Sequence, residues 1–221
     1  MALPICHIVG AAPGPIPRIP CDPGDLLLAA DGGYAALARQ GLCPDCTVGD
    51  LDSLGAQPTQ GELRRLPVRK DDTDLAAAMA EGERRGFRRF FLYGALGGRF
   101  DHSLANCQLL GALAARGEEG WLFAENDSLT AISGSRLCIP AGQEGYVSVF
   151  SLTDRSEGVT ERGLSYTVSE ATFVNDRPLG VSNAFIPGTS AEIAVRRGVL
   201  LISLAGISPE LAKKCVIEAL K

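Results

Sequence analysis

Three groups of acidic residues lie close together in the sequence between Val48 and His102. They are V48-G-D-L-D-S-L54, K70-D-D-T-D-L75 and G94-A-L-G-G-R-F-D-H102. Two carboxylates about 4 Å apart repel each other by roughly 4 kcal/mol at an effective dielectric of 20. Because hard cations such as Mg²⁺ bind carboxylate oxygens, a fold that gathers these groups would favour a divalent cation among them. The pattern therefore indicates Mg²⁺-dependent phosphoryl chemistry.

Each acidic group also has a simpler interpretation. Asp50 and Asp52 are two residues apart, so both side chains would point to one face of a continuing strand and could share a cation. The same pair could end a strand as ordinary polar residues, or serve a metal-dependent nucleotidyl- or glycosyl-transferase. Asp71, Asp72 and Asp74 could bind metal, or could cap a helix and interact with its dipole.

The third group combines glycines, one arginine and a carboxylate. Gly97 and Gly98 would let the backbone approach a phosphate closely, and Arg99 offers a planar set of donors to phosphate oxygens. Asp101 could orient or deprotonate an attacking hydroxyl, or could cap the helix that follows it. A polyphosphate held by a cation would suit this combination.

The composition limits the class of protein. The chain has 221 residues and 46% apolar content, which is enough for a sizeable core. Its formal charge of −5 argues against nucleic acid as a partner. No leader pattern or apolar run of transmembrane length is present, so we expect neither export nor a membrane span. Seven cysteines fit reduced thiols in the cytoplasm. We interpret Cys43 and Cys46 as a structural pair rather than a zinc or redox site.

The first half of the chain alternates between strand and helix patterns. Strands are predicted at residues 5–9, 25–30, 46–49, 90–93 and 121–124, and helices at 34–40, 74–85 and 101–116. This alternation predicts an α/β domain with a mostly parallel sheet and helices on both faces. All three acidic groups follow predicted strand ends, and the carboxyl edge is where open α/β sheets bind ligands.

The second half of the chain shows short apolar segments separated by turn signals. The segments are 128–132, 136–139, 146–152, 164–168, 171–174, 191–195 and 199–205. They predict an all-β sandwich, so we divide the chain into domains at residues 1–125 and 126–221. Ser208 and Pro209 predict the start of a C-terminal helix that runs to about Leu220.

Six short motifs resemble those of one enzyme family, in order and in spacing. The motifs D31-G-G33, V48-G-D-L-D-S53, D71-D-T-D74 and G97-G-R-F-D-H102 resemble the thiamine pyrophosphokinase family. R162-G-L-S165 and G180-V-S-N183 resemble motifs of that family's β-domain. The resemblance extends from about Ala30 to Val195.

The resemblance implies an N-terminal domain that binds Mg·ATP and a C-terminal β-sandwich that helps to bind thiamine. The reaction would transfer the pyrophosphoryl group of ATP to the thiamine hydroxyl, giving thiamine diphosphate and AMP, in a homodimer with active sites between subunits. By position, the metal ligands would be Asp50, Asp52 and Asp74. The nucleotide site would contain Asp31, Gly32, Gly33, Lys70, Asp71, Thr73 and Arg99. Thiamine would contact Asp101, Ser182 and Asn183, and the catalytic residues would be Asp52, Asp74, Arg99 and Asp101.

The sequence departs from the family pattern in three places. Lys70 stands where many members have an uncharged polar residue. The second domain has no tryptophan, so an aromatic lid over thiamine would have to come from Phe173, Phe185 or Tyr166, or would be missing. The predicted helix after Ser208 extends past the usual end of the family. A non-catalytic module that binds thiamine or nucleotide is the remaining alternative.

Overall fold

The chain folds into two compact units. The computed structural model describes residues 3–50, 60–66 and 73–220. The first unit comprises Met1–Asn106 and Leu122–Glu125, and the second comprises Cys107–Trp121 and Asn126–Lys221. The predicted division falls between residues 125 and 126. It differs from the observed units because it assigns Cys107–Trp121 to the first domain and not to the second. No helix in the described ranges combines the length and the apolar character that a membrane span requires.

The first unit is built on a parallel sheet with the strand order β5-β1-β2-β3-β4. Its strands are β1 (Cys6–Val9), β2 (Leu26–Ala30), β3 (Cys46–Gly49), β4 (Glu62–Arg65) and β5 (Arg89–Tyr93). Every residue of β1, β2, β3 and β5 is buried. Continuous apolar runs of this kind are typical of parallel strands that are covered on both faces. β4 is the last strand in this order, and all of its residues are exposed. Because its sequence is largely polar, it was not predicted as a strand.

Three helices connect these strands at positions close to those predicted. They are α1 (Gly33–Arg39), α2 (Asp74–Arg84) and α3 (Phe100–Ala115). α1 contacts β1 and β2, and α2 contacts β1, β2 and β3. α3 begins at Phe100, so Asp101, which the sequence predicted as its cap, lies in its first turn.

The second unit is rich in antiparallel strands, and β6 (Glu119–Phe123) is divided between the two units. Its strands are β7 (Asp127–Ile139), β8 (Tyr146–Ser151), β9 (Arg155–Arg162), β10 (Val168–Val174), β11 (Gly180–Ala184), β12 (Ala191–Ala205) and β13 (Val216–Ala219). β12 pairs with β7 along its length, with β9 through its first half and with β8 through its second half. β10 then pairs with β9, and β11 with β8. The Phe173 ring on β10 packs against Gly180 on β11, so the two branches of this sheet are in contact.

Several predicted strand boundaries were wrong in this unit. β7 and β12 are long strands, each of which the sequence divided in two at a glycine. Gly134 and Gly198 have positive φ and lie at a register shift between the two strands, so these glycines mark an irregularity and not a turn. β9 and β11 were missed as strands because glycine and polar residues interrupt the apolar pattern of both, and β9 also carries charged residues.

The predicted C-terminal helix was also wrong. Ser208 caps α4 (Pro209–Ala212), as expected, through a bond from the Leu211 N–H to its hydroxyl. The helix stops after four residues, and β13 pairs antiparallel with β7. The β-branched pair Val216-Ile217 favours a strand, and pairing with β7 satisfies its backbone, so tertiary structure outweighs the local helix propensity.

Candidate active site

The order of the strands creates a topological switch point between β1 and β5. β2, β3 and β4 extend from one side of β1, and β5 lies on the other side. The loop after β1 therefore leaves in one direction and the loop after β5 in the other. Backbone bonds from Gly10 N to Tyr93 O and from Ala12 N to Gly94 O, both 2.8 Å, hold the two loops together where they diverge. In open α/β sheets, ligands bind at this position.

A pocket of about 300 Å³ lies at this switch point. Its walls come from the loops after β1 and β5, from the end of β2 and from the first turns of α2 and α3. Among the predicted site residues it is lined by Asp31, Thr73, Asp74 and Arg99. Residues that are far apart in the sequence are thus brought to one cavity at the carboxyl edge of the sheet.

The first turn of α2 presents both a cap and a carboxylate to the pocket. The Thr73 hydroxyl accepts a hydrogen bond from the Ala76 N–H at 3.2 Å and so caps the helix. Asp74 is the first residue of the helix, where a negative charge is favoured by the helix dipole. The helix end also attracts anionic ligands, because its first N–H groups lack partners within the helix.

Arg99 and Asp101 form an exposed, two-point ion pair. Arg99 donates from Nη2 to Asp101 Oδ2 at 2.5 Å and from Nε to Asp101 Oδ1 at 3.1 Å. The hydrogen bond from Arg99 lowers the pKa of Asp101, and the same bond raises the pKa of Arg99. Both groups are therefore held in their charged forms, beside the pocket and in contact with solvent.

The two glycines and the aspartate after β2 have different roles. Asp31 is buried with a positive φ of 45°, a strained conformation for a residue other than glycine. Gly33 packs so closely that a Cβ there would lie 1.8 Å from the Val9 carbonyl oxygen. Gly32 lines a neighbouring surface cavity beside the loop that follows β1. Gly33 is thus required for helix packing, whereas Asp31 faces the pocket.

The remaining predicted residues of the first domain are only partly described. Asp50 directly follows β3, at the same edge of the sheet as the pocket. Asp52, Lys70 and Asp71 lie outside the described residues. Their predicted roles in metal and nucleotide binding therefore stay predictions.

The sequence did not single out the residues that fix the loop after β5. Asn106, which is buried in α3, donates to the Ala95 carbonyl oxygen at 2.6 Å. The Gly97 N–H donates to the Ser103 hydroxyl at 3.2 Å. Ser103 and Asn106 are three residues apart in α3, which places them on one side of the helix that follows the glycine loop. That spacing is the one feature of the sequence that could have indicated their contact with the loop.

In the second unit, Ser182 and Asn183 lie on β11 and differ sharply in exposure. Ser182 is exposed and has a positive φ of 61°, and its N–H donates to the Ser148 hydroxyl at 3.0 Å. Asn183 is 5% exposed. Its amide nitrogen donates to Glu161 and to the Tyr166 carbonyl oxygen, both at 2.8 Å. Its amide oxygen accepts from the Tyr166 and Ala184 N–H groups, both at 2.9 Å.

Comparison with protein families gives two adjacent matches. Residues 21–119 match the model described as "Thiamin pyrophosphokinase, catalytic domain". Residues 136–200 match the model described as "Thiamin pyrophosphokinase, vitamin B1 binding domain". Together the two ranges cover most of the chain, in the order in which the motifs occur.

The chain belongs to the thiamine pyrophosphokinase family. Its activity is accordingly the transfer of a pyrophosphoryl group from ATP to thiamine. The catalytic-domain match contains the described pocket residues from Ala30 to Asn106, and the vitamin B1 match contains β11 with Ser182 and Asn183.

Solved structures of thiamine pyrophosphokinases share this fold. The enzyme from Bacillus subtilis is 21% identical with a TM-score of 0.82, over 91% of this chain and 98% of that one. A family protein from Enterococcus faecalis is 26% identical with a TM-score of 0.77, over 91% and 98%. The yeast enzyme is 15% identical with a TM-score of 0.75, over 97% and 89%. No match was found among curated protein sequences.

Two smaller features bear on thiamine pyrophosphokinase function. Of the three candidate lid residues, Phe173 and Phe185 are buried, and Tyr166 is 72% exposed. Cys46 is a buried residue of β3 whose pKa is raised by burial, whereas Cys43 is exposed. This difference supports the structural interpretation of the Cys43–Cys46 pair, because a reactive thiol is favoured by a lowered pKa.

Proposed function

We propose that ATP binds in the pocket at the switch point, with Mg²⁺ beside its phosphates. The observation that carries this proposal is one cavity lined by two carboxylates, an arginine, glycine loops and the start of α2. We assign nucleotide contacts to Asp31, Gly32, Gly33, Lys70, Asp71, Thr73 and Arg99. For Gly33 the contribution is indirect, through the packing that holds the adjacent loop.

We assign the metal to Asp50, Asp52 and Asp74. Asp74 lines the pocket together with Asp31, and Asp50 ends a neighbouring strand. Oxygen donors of this kind fit Mg²⁺, which prefers carboxylates and phosphate oxygens. When bound, the ion would neutralise charge on the transferred group, which is the main requirement of phosphoryl transfer.

Arg99 and Asp101 suggest how the two substrates could be coupled. Arg99 would exchange its bond to Asp101 for a phosphate oxygen, because it is exposed and its planar donors fit both partners. Asp101, released in its carboxylate form, would then accept a hydrogen bond from the thiamine hydroxyl. The catalytic set in this proposal is Asp52, Asp74, Arg99 and Asp101.

Thiamine would also contact the second domain through Ser182, with Asn183 beneath it. Tyr166 is the exposed aromatic residue of the three lid candidates, so we assign the lid to Tyr166. Exposed apolar side chains occur on β8, β11 and the segments beside them, namely Tyr146, Leu179, Val181 and Ile186. Such a surface favours a homodimer with active sites between subunits, because exposed apolar patches commonly mark protein interfaces.

We further propose the finer organisation that the sequence predicted. The catalytic domain would comprise residues 1–125 with helices on both faces of its sheet, and a β-sandwich would comprise residues 126–221. The contact between Phe173 and Gly180 supports the sandwich. The seven cysteines are free thiols, which supports the cytoplasm as the location of the enzyme.

The test is to follow AMP and thiamine diphosphate together. Purified protein is incubated with ATP and Mg²⁺, with and without thiamine. We expect thiamine-dependent AMP that matches the product one for one and disappears when the metal is chelated. Hydrolysis of ATP without thiamine diphosphate, or binding of thiamine without turnover, would contradict the proposal. Light scattering of the same sample, with a dimer expected, tests the subunit arrangement.

A further inference from the structure

A buried carboxyl group lies behind the predicted thiamine-binding turn. Glu161 is on β9 and is 1% exposed. Its Oε2 accepts the hydrogen bond from Asn183 Nδ2 at 2.8 Å. Its Oε1 is buried and has no hydrogen-bond partner within the part of the chain that the structure describes. Val168 and Ile193 are its neighbours on the adjoining strands, so its strand neighbours are apolar.

These surroundings favour the neutral form of Glu161. An ionised carboxylate with a single hydrogen bond in an apolar interior would carry a large desolvation cost. Burial accordingly raises the pKa of Glu161, against a smaller lowering by the bond from Asn183. The buried carboxyl group offers the Asn183 amide its one acceptor on β9 in either form, and burial shifts the balance toward the neutral acid.

Asn183 has no hydrogen-bonding capacity left for a substrate. A side-chain amide has two donor hydrogens and an oxygen that accepts two bonds. Both donors are used, by Glu161 and by the Tyr166 carbonyl, and the oxygen accepts from the Tyr166 and Ala184 N–H groups. Asn183 is thus a clamp between β11 and the segment that carries Tyr166.

We propose that Glu161 is a positioning residue that fixes Asn183 and, through it, the relative placement of Ser182 and Tyr166. This inference rests on the proposed function, in which Ser182 and Tyr166 receive thiamine. It assigns Asn183 to orientation and not to direct contact, and it makes Glu161 a determinant of thiamine binding.

The test compares Glu161→Gln with Glu161→Leu. Gln keeps an acceptor for Asn183 and is uncharged, so KM values for thiamine and ATP should stay within about twofold of the original protein. Leu leaves the Asn183 amide without its acceptor, so KM for thiamine should rise about tenfold or more while KM for ATP stays unchanged. Glu157→Leu, at a half-exposed position of the same strand, is the matched control and should change neither constant.

The outcomes separate this inference from the proposed function. If the unaltered protein forms no thiamine-dependent product, the proposed function fails. If it is active and folded Glu161→Leu protein binds thiamine normally, only the positioning role is overturned. The same conclusion follows if both KM values rise equally, because a general loss of structure would then explain the effect.

A separate observation concerns the amino ends of β1 and β2, away from the pocket. There His7, Cys21 and Asp25 offer ligand atoms that all lie within 4.8 Å of one another. His7 Nε2 and Asp25 Oδ2 are 3.1 Å apart, and His7 Nδ1 lies 3.0 Å from the Tyr93 hydroxyl. His7 is fully buried, and Cys21 is exposed.

The spacing of His7 and Asp25 is close to what a zinc-type cation requires, and Cys21 lies within 4.8 Å of both ligand atoms. Ligand atoms around tetrahedral zinc, at 2.0–2.3 Å from the metal, are separated by roughly 3.2–3.7 Å. A cation could therefore replace the proton between His7 and Asp25, with the exposed Cys21 side chain turning toward the ion as the third ligand. The His7 Nδ1–H would then donate to Tyr93, the kind of support that metal-bound histidines usually have. The Cys21 thiolate and the Asp25 carboxylate would neutralise the ion.

We propose that His7, Cys21 and Asp25 form a site for a borderline-soft divalent cation such as Zn²⁺, distinct from the Mg²⁺ site. Thiolate and imidazole ligands favour zinc over magnesium, which selects for oxygen. This proposal does not depend on the enzymatic activity.

Cobalt titration of chelator-treated protein tests this site directly. We expect one thiolate-bound Co²⁺ per chain, seen as a thiolate-to-cobalt charge-transfer band that saturates at one equivalent and that Zn²⁺ abolishes. Cys21→Ser should lose the band, and Cys43→Ser, which removes another exposed cysteine, should keep it. A band that survives Cys21→Ser, or binding only at millimolar metal, would identify an adventitious ion only and overturn the proposal.

Discussion

Gly10 and Gly94 approach each other so closely that neither position has room for a side chain. A Cβ on Gly10 would lie 2.6 Å from the Gly94 carbonyl oxygen, and a Cβ on Gly94 would lie 2.7 Å from the Gly10 carbonyl oxygen. The contact joins the ends of β1 and β5, where the two pocket loops diverge. The shape of the pocket therefore depends on a glycine, Gly10, that belongs to none of the family motifs.

We expect Gly10→Ala to destabilise the protein by about 1–3 kcal/mol and to raise KM for ATP, because the added methyl group must push the two strand ends apart. Urea unfolding measures the first effect and steady-state kinetics the second. Gly86→Ala is the control: Gly86 has a positive φ of 93° but open space around it, so only stability should fall. Unchanged stability in Gly10→Ala would show that the strand ends move freely.

Thr73→Ala removes the cap of α2. The lost bond from the Ala76 N–H should lower the free energy of unfolding by about 0.5–2 kcal/mol, and Thr73→Ser should restore it. Since α2 begins at the pocket wall, KM for ATP should rise in parallel in the alanine variant alone. Urea unfolding of the original protein and of the two variants measures this effect. If Thr73→Ala were as stable as the original protein, the Thr73 hydroxyl would not stabilise the helix.

The sequence predicted the first unit well because four of its strands are buried and mostly apolar and because α2 begins at a clear cap. The strand at Cys46–Gly49 and the helix from Asp74 were confirmed. Placing the acidic groups after strand ends predicted where the pocket would form, and Asp31, Asp74 and Arg99 were found in its lining. Here local pattern and tertiary structure agree.

The failures have a common physical cause. β4 and β13 are exposed strands formed by pairing with a neighbour, so their own sequences carry little signal. The glycines of β7 and β12 resemble turn signals, although the strands continue past them. The clamp formed by Glu161 and Asn183 joins residues 22 positions apart, so no local pattern could indicate it. Contacts of this kind are decided by tertiary structure alone.

Arg99→Ala should reduce kcat by about a hundredfold or more, since a cation that faces developing phosphate charge acts mainly in the transition state. The substitution should also let the pKa of Asp101 rise toward its ordinary value, because Arg99 is the main cause of its lowering. Kinetics measure the first effect, and carboxyl carbon NMR measures the second. Arg116→Ala, an exposed arginine after α3, is the control. A change in kcat below about threefold would contradict the role of Arg99.

Asp52→Asn should abolish turnover while the protein keeps its native circular dichroism and unfolding midpoint. The physical reason is that an amide is a neutral and weaker ligand, so Mg²⁺ and the phosphates would no longer be held together. Asp74→Asn should have a similar effect. Asp72 belongs to the same acidic group as Asp74 but has no assigned role, so Asp72→Asn is the control. Near-normal activity of Asp52→Asn would remove Asp52 from the metal site.

The raised pKa of Glu161 predicts a pH-dependent contribution to stability. Because burial raises the pKa above the ordinary value of 4.5, the folded protein holds this proton more tightly than the unfolded chain. The contribution is therefore complete below about pH 4.5 and is lost as the pH rises through the folded-state pKa. Relative to Glu161→Gln, the free energy of unfolding of the original protein should fall by at most about 1.4 kcal/mol per pH unit in that range. Parallel pH dependences of the two proteins, measured by urea unfolding, would show that folding does not raise the pKa of Glu161.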